Sequence, residues 1–199
     1  PDFVDACEEA GIKFIGPKAE TMRKLGDKAS ARRVAMEAGV PVVPATDVLP
    51  DDMNKVRQMA EKVGYPFMLK ASWGGGGRGM RPIMDASELE EKVLEGRREA
   101  EAAFGNGEGY LERLVERARH VEVQILGDSF GEIYHLYERD CSVQRRNQKV
   151  VERAPAPYLT EEQRSEICSL GRKICAHVGY ECAGTVEFLM DMDTEEFFF

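Results

Sequence analysis

The chain has 199 residues, a net charge of −9 and 43% hydrophobic residues, which is enough apolar content to build a core for one domain or one and a half. No apolar run approaches the ~20 residues of a membrane-spanning helix, so no membrane partner is expected. The acidic balance argues against a general nucleic-acid binder but leaves room for a local basic site that holds a phosphorylated small molecule.

Pro1 suits the first turn of a helix over residues 1–10, with Gly11 as its stop. The chain has no signal-peptide pattern and no initiator Met at its start, so it is expected to begin inside a longer protein. Ile12 to Ile15 is apolar and closed by Gly16-Pro17, which predicts a short buried strand. Ala19 to Leu25 is helical. Asp27 caps a further helix through Ala38, stopped by Gly39. Lys28 in its first turn opposes the helix macrodipole; this fits a nearby phosphate, and equally an ordinary surface lysine. Residues 40–44 form an extended connector, and a helix over 52–63 shows Met53, Val56, Met59, Ala60 and Val63 on one face.

The central stretch follows. Tyr65 to Leu69 is a short apolar run with strand character. Lys70 ends it, and five glycines then fall within residues 74–79. Such glycines let backbone N–H groups turn toward an anion without Cβ interference. A flexible linker or plain hairpin loop is the alternative, but linkers rarely carry Lys before the glycines and Arg-Gly-Met-Arg around their end. Order then discriminates. A Walker loop places Lys after its glycines and opens a helix; a protein kinase places its glycine loop before the Lys-bearing strand. Here the order is strand with Lys70, glycine-rich hairpin, then a return strand over Met80 to Met84. Pro82 makes that return strand an edge or kinks it. This arrangement resembles the ATP-grasp superfamily, in which a small mobile sheet closes over ATP.

A charged helix is expected from Ser87 to Ala103, with Ser87 as cap and Glu90 completing a capping box. Strands follow at residues 110–115 and 120–126, the latter with His120, Glu122 and Gln124 on one face and Val121, Val123 and Ile125 on the other. The first of those faces reads most simply as a solvated one. Another strand spans 132–138, and a polar run, Arg139 to Glu152, is closed by Pro155 and Pro157. The basic part of that run, residues 144–149, lacks interleaved aromatics, which disfavours RNA; near a phosphate loop its Arg, Gln and Lys suit ATP phosphates and a small anion. Thr160 caps a helix to about Val178. Ala183 to Met190 is a strand with one carboxylate, Glu187, in an apolar run; burial there is costly unless the group is paired or binds metal, the alternative being an outward-facing position. Phe197 to Phe199 begins its partner. Cys7, Cys141, Cys168, Cys175 and Cys182 contain no Cys-x-x-Cys pair and are read as reduced, half-buried thiols of a cytoplasmic protein, not as a zinc site or disulfides.

Taken together, Phe14-Ile15-Gly16-Pro17-Lys18, Gly26-Asp27-Lys28, Lys70 to Met80, Arg119-His120-Val121-Glu122, Glu138-Arg139-Asp140-Cys141-Ser142, Gln144 to Glu152, Ala154-Pro155-Ala156-Pro157 and Ala183-Gly184-Thr185-Val186-Glu187-Phe188 resemble the biotin carboxylase family over essentially the whole chain. Within it, Ala71-Ser72-Trp73 and Asn147-Gln148-Lys149 with Glu152-Arg153-Ala154-Pro155 look most like the bacterial pyruvate carboxylase branch. Acetyl-CoA and propionyl-CoA carboxylase components, a carbamoyl-phosphate synthetase half and a non-catalytic binding module are the alternatives.

The resemblance implies an α+β ATP-grasp fold. Residues 1–17 would be the tail of a Rossmann-like domain, 18–44 a helical linker, 45–114 the ATP-grasp lid and 115–199 the first part of the larger subdomain. It implies ATP with Mg²⁺ or Mn²⁺, bicarbonate as second substrate, and biotin as carboxyl acceptor on a carrier domain, within a homo-oligomeric protein that has further carboxylase domains. Lys28 and Lys70 would hold ATP phosphates, and Gly76 and Gly77 would close over them. Glu112, Arg113, Leu114 and Val115 would border the adenine through main-chain groups. His120 and Gln144 would contact the nucleotide, and Asn147 stands where many members have His. Lys149 would face bicarbonate as the catalytic residue, and Glu187 would be a metal ligand. The family's second metal carboxylate, its Asn-x-Arg segment and its Gln-Val-Glu base fall beyond Phe199. The chain alone is therefore expected to bind nucleotide at most.

Overall fold

The computed structural model describes residues 1–72, 80–145 and 148–199. Gly76 and Gly77, assigned above to closing over the phosphates, and Asn147, placed above where many members have His, lie outside the described residues. The chain forms two compact units, residues 43–116 and residues 1–42 with 117–199. No helix among the described residues is long and apolar enough to cross a membrane.

In the 43–116 unit, β1 (Phe67–Ala71) sits between β2 (Arg81–Ile83) and β3 (Gly109–Arg113), all antiparallel. Pro82 therefore falls on an edge strand, opposite Met68, where its missing N–H costs no ladder bond. Helices Met53–Val63 and Leu89–Phe104 accompany this sheet. Their apolar faces join Phe67, Leu69, Ile83 and Leu111 in one core with Val56, Ala60, Leu89 and Val93. Asp52 caps the first helix, accepting from the Asn54 N–H at 2.9 Å. The predicted cap at Ser87 does not form. The hydroxyl and N–H of Ser87 both donate to Asp85, and Glu88 takes the N-cap position without a side-chain cap bond. Asp85, two residues upstream, outcompetes the helix for the serine.

The other unit is built on a five-stranded antiparallel sheet. Its strands are β4 (Ala118–Gly127), β5 (Ile133–Arg145), β6 (Gln148–Arg153), β7 (Cys182–Asp191) and β8 (Phe197–Phe198), in the order β6-β5-β4-β7-β8. One face is apolar: Val121, Val123, Ile125, Val186 and Phe188 pack with Ile167, Leu170 and Ile174 of the helix Glu161–His177. Gly171 lets that helix approach closely, since a Cβ there would meet Val123 at 3.2 Å. The helix starts with a capping box in which Thr160 and Gln163 satisfy each other's backbone N–H groups. Three further helices, Asp2–Glu9, Ala19–Leu25 and Lys28–Glu37, belong to this unit. Asp27 caps the last of them, accepting from the Ala29 and Ser30 N–H groups.

The strand expected at residues 12–15 is absent; Ile12 and Ile15 are exposed, Ile15 at 89%. No described strand pairs with this segment, and a short apolar run does not hold strand geometry without a partner. All five cysteines are free, with burial pushing the Cys168 thiol up to about 11 and the Cys175 thiol up to about 12.

Gly127 is the tightest backbone approach in the sheet: a Cβ there would lie 2.1 Å from the Tyr180 carbonyl oxygen. Gly127→Ala is expected to destabilise the protein by about 3 kcal/mol or more, at the upper end for overpacking. Thr160→Ala should cost ~1 kcal/mol through the lost cap. Urea denaturation midpoints would show this order, and an equal shift for the two variants would refute it.

Candidate functional site

The second face of the five-stranded sheet carries a row of charges, and register explains why they meet. Glu122 on β4 is paired with Arg139 on β5 and with Glu187 on β7. Because strand side chains alternate, cross-strand partners share a face. Arg139 donates through Nε to Glu122 Oε1 at 2.8 Å, through Nη1 to Gln124 Oε1 at 2.9 Å, and pairs with Glu152 of β6 at 3.6 Å. Its Nη2 also contacts Glu122. Lys149 of β6 donates to Glu122 and, at 2.5 Å, to Glu187 Oε1.

Glu122 is only 3% exposed, so the face expected to be solvated is not. The long side chains of Arg139 and Lys149 cover the carboxylate as well as neutralise it. Burial alone would push the Glu122 carboxyl up; the bonds from Lys149 and Arg139 outweigh that and hold it below the ordinary range. For Lys149, burial pulls the ammonium down, and Glu122 and Glu187 together outweigh it and raise it. Glu187, in contrast, has a side chain 63% exposed. The premise that it is buried between Val186 and Phe188 fails because those two face the core while Glu187 points to the opposite face.

Behind the row lies a second buried carboxylate, Asp140. Its Oδ1 accepts from the Ser142 N–H at 3.1 Å, the Ser142 hydroxyl at 2.5 Å and the Tyr158 hydroxyl at 3.1 Å, while Oδ2 accepts from Arg153 at 2.6 Å. Burial raises the Asp140 carboxyl, but these donors prevail and lower it. Burial and Asp140 push Tyr158 up to about 12. The Ser142 hydroxyl oxygen accepts from the His120 N–H at 3.0 Å, and Arg119 lies 4.1 Å above the Tyr158 ring. The Gln144 amide donates to the Cys141 carbonyl at 2.9 Å. Lys28 is the first residue of its helix and is exposed.

In the 43–116 unit, Lys70 pairs with Glu112 across β1 and β3, and both side chains are largely buried. The N–H groups of Arg113 and Leu114 donate to the Pro44 and Pro66 carbonyls. Those two donors are therefore committed within the unit.

The sequence reading gave no role to Arg139, Asp140 or Arg153 and treated Glu122 as surface. The signal was present in alternation, which places Glu122 beside a basic strand, but it does not show what covers the carboxylate. Cations need carboxylate oxygens that are reachable. Mg²⁺, which combines a few carboxylates with water and phosphate oxygens, fits exposed Glu187, whose only described partner is Lys149. The cluster Glu122, Cys141 and Glu152 also brings ligand atoms together. It suits a hard cation poorly, because Glu122 is held by two cations and the Cys141 thiol is pushed up to about 11, first by burial and then by Glu122.

Residues 27–199 match the family described as carbamoyl-phosphate synthase L chain, ATP binding domain. The chain belongs to that family. Its relatives are biotin carboxylases and biotin carboxylase domains of larger enzymes, and its fold is the α+β ATP-grasp fold. Mouse mitochondrial pyruvate carboxylase is 52% identical over 99% of this chain and 17% of its own length. A Rhizobium etli pyruvate carboxylase crystallised with acetyl coenzyme A is 63% identical, with a TM-score of 0.90, over 100% of this chain and 17% of the other. The biotin carboxylase domain of Hydrogenobacter thermophilus 2-oxoglutarate carboxylase, a dimer holding MgADP, ADP and bicarbonate, is 45% identical with a TM-score of 0.91, over 100% of this chain and 44% of that one. The chain thus spans about a sixth of the pyruvate carboxylases it matches.

The charge row makes stability depend on pH with a definite sign. Glu122 and Asp140 have folded values below the ordinary 4.5 and 3.8. Their contribution is complete above those values and is lost as the pH falls through the depressed folded ones. Lys149 is raised above 10.5, so its contribution is complete below that value and is lost as the pH rises through the folded one. Urea midpoints should therefore fall on acidification below about 4.5, and Glu122→Gln should make that fall shallower. An unchanged acid limb in the variant would show that the row does not set it.

Proposed function

We propose that this chain supplies the nucleotide clamp and part of the anion site for biotin carboxylation within a larger biotin-dependent carboxylase, on the pyruvate carboxylase branch. The observation that carries this reading is Lys149, held by two carboxylates in a row of charges, in a chain similar to a biotin carboxylase domain that is in complex with MgADP, ADP and bicarbonate. In the proposed reaction a bicarbonate oxygen attacks the γ-phosphorus of ATP. The bond from that phosphorus to the bridging oxygen breaks, and ADP leaves with carboxyphosphate as the product. The carboxyl group then passes, directly or as CO₂, to the biotin ureido nitrogen, which gives up its proton, and phosphate is released.

The chain's own groups have distinct tasks. Lys70, held by Glu112 on the small sheet, and Lys28 neutralise the triphosphate. His120 and Gln144 border the nucleotide. Lys149 holds the bicarbonate anion, with Glu122 and Arg139 fixing its position so that no reorganisation is needed as charge develops. Glu187 is the residue that would hold Mg²⁺, which when bound supplies charge neutralisation at the phosphoryl oxygens. We infer biotin on a carrier domain as acceptor, further carboxylase domains as partners, and a homo-oligomer, in line with the dimeric relative. A cytoplasmic location fits five free thiols.

Two measurements test this. Calorimetric titration of Mg·ATP should show binding that Lys70→Ala weakens by at least about tenfold, the scale of one lost charge-assisted contact; unchanged binding would remove Lys70 from the clamp. In the complete carboxylase, Lys149→Gln should abolish bicarbonate-dependent ATP cleavage while nucleotide binding persists. Retained bicarbonate dependence would sink the anion-site reading.

A further inference from the structure

His120 stands where β4 loses regular pairing on one side. Toward β7 the ladder continues, with His120 opposite Leu189. Toward β5, among the described residues, it ends at Val121 and Asp140. Beyond that point β5 also slips against β6, first between Asp140 and Val143 and then between Val143 and Gln144, where Val150 is the extra residue on β6. A backbone N–H that faces a broken ladder needs another acceptor. The His120 N–H has one in the Ser142 hydroxyl oxygen, at 3.0 Å.

A serine hydroxyl can donate or accept, and its proton rotates to suit. Here the direction is set by Asp140. The Ser142 hydroxyl donates to Asp140 Oδ1 at 2.5 Å, and the Ser142 N–H donates to the same oxygen at 3.1 Å. The proton is thereby committed to Asp140, and the lone pairs are left for His120. Asp140 is itself held by Arg153 through Oδ2 at 2.6 Å and is 1% exposed, so water competes little for these bonds. Its Oδ1 also accepts from the Tyr158 hydroxyl at 3.1 Å, and Arg119 lies 4.1 Å over the Tyr158 ring, a cation–π contact. Arg119 and His120 are therefore held twice, at the His120 N–H through Ser142 and at the Arg119 side chain through Tyr158. Both routes end on one carboxylate oxygen. Because the peptide unit between the two residues is planar, these contacts fix the plane from which the His120 side chain departs, and alternation places that side chain on the face of Glu122.

We propose that Ser142 is a positioning residue for His120: its hydroxyl, aimed by Asp140, takes over from the interrupted β4–β5 ladder and holds the histidine in place against the nucleotide. Ser142 acts through the His120 backbone and touches no substrate. The inference rests on the reading of His120 as a residue that borders the nucleotide, and His120→Ala tests that reading by itself.

The test is a double-mutant cycle in the complete carboxylase, read by calorimetric titration of Mg·ATP without bicarbonate. Ser142→Ala should weaken binding by about fivefold, the scale of one neutral hydrogen bond, and His120→Ala by at least as much. Adding Ser142→Ala to His120→Ala should weaken binding no further, because a residue that acts only through His120 then has nothing to position. A general loosening of the sheet would instead add its full effect. Ser142→Thr, which keeps the hydroxyl, should bind as the wild type does. Independently, hydrogen exchange followed by mass spectrometry of overlapping peptides should show the His120 N–H exchanging faster in Ser142→Ala and not in Ser142→Thr. Additive effects in the double variant would overturn the proposal. So would unchanged exchange at His120 in Ser142→Ala, or unchanged binding there beside weakened binding in His120→Ala. Unchanged binding in His120→Ala would show that His120 does not contact the nucleotide, and the proposal would fall with that reading.

Discussion

A carboxylate with almost no access to water, Glu122, sits in the middle of the larger sheet, and the polar face of that sheet is arranged around it. Isolated, such a group would be neutral or excluded from the fold. Here it is ionised because Arg139 and Lys149 both donate to it. Breaking such a set by removing one partner leaves the other charge uncompensated. This explains why the row extends outward to Glu152 and Glu187, each of which takes a share of one of the two cations. The face is therefore ordered before any ligand arrives. Such preorganisation is what electrostatic catalysis requires.

The two faces of the sheet divide the work, with Asp140 and Glu138, register partners of Val121 and Val123, as the buried carboxylates on the packed side. Val121, Val123 and Ile125 commit one face to packing with the helix Glu161–His177, while the intervening residues are free to carry charge. Gly171 keeps that helix close and Gly127 admits the Tyr180 carbonyl, so the apolar face is a rigid floor. In the smaller unit the same economy holds on three strands. Leu69 and Leu111 enter its core, and Lys70 and Glu112, one residue further along each strand, meet each other.

Much of this was legible from residue order. The edge position of Pro82, the caps at Asp27 and Thr160 and the alternation of β4 all translate local chemistry into local structure, and the motif set, with its Lys-before-glycine order, pointed to the family. What was not legible depended on partners distant in the chain. Glu122 looked like a surface residue because the groups that cover it lie 17 and 27 residues away. Glu187 looked buried because its neighbours in sequence are apolar, although in a strand the neighbours in sequence face the other way. Residues 12–15 have the composition of a strand but no described strand beside them. Ser87 fits a capping pattern, yet Asp85 takes its hydroxyl first.

The register of β5 and β6 was the least legible feature, and the reason is general. A period-two reading assigns every residue of a strand to a face from any one of them, so one inserted residue reverses all assignments beyond it. Nothing in the residues Gln148 to Arg153 marks Val150 as the extra one, because no glycine or proline interrupts the run. The neighbouring strand has a slip of its own, between Asp140 and Val143, and there the residues do carry a clue. An Asp two residues before a Ser can satisfy both Ser donors locally and so stabilise a departure from the ladder, and Asp140 and Ser142 have that spacing. A polar pair inside an otherwise regular strand is thus better read as the position of a bulge than as a candidate ligand set. Residues of the same strand beyond it then belong on the face opposite to the one simple alternation assigns, while Lys149 owes its face to the extra residue Val150 on its own strand.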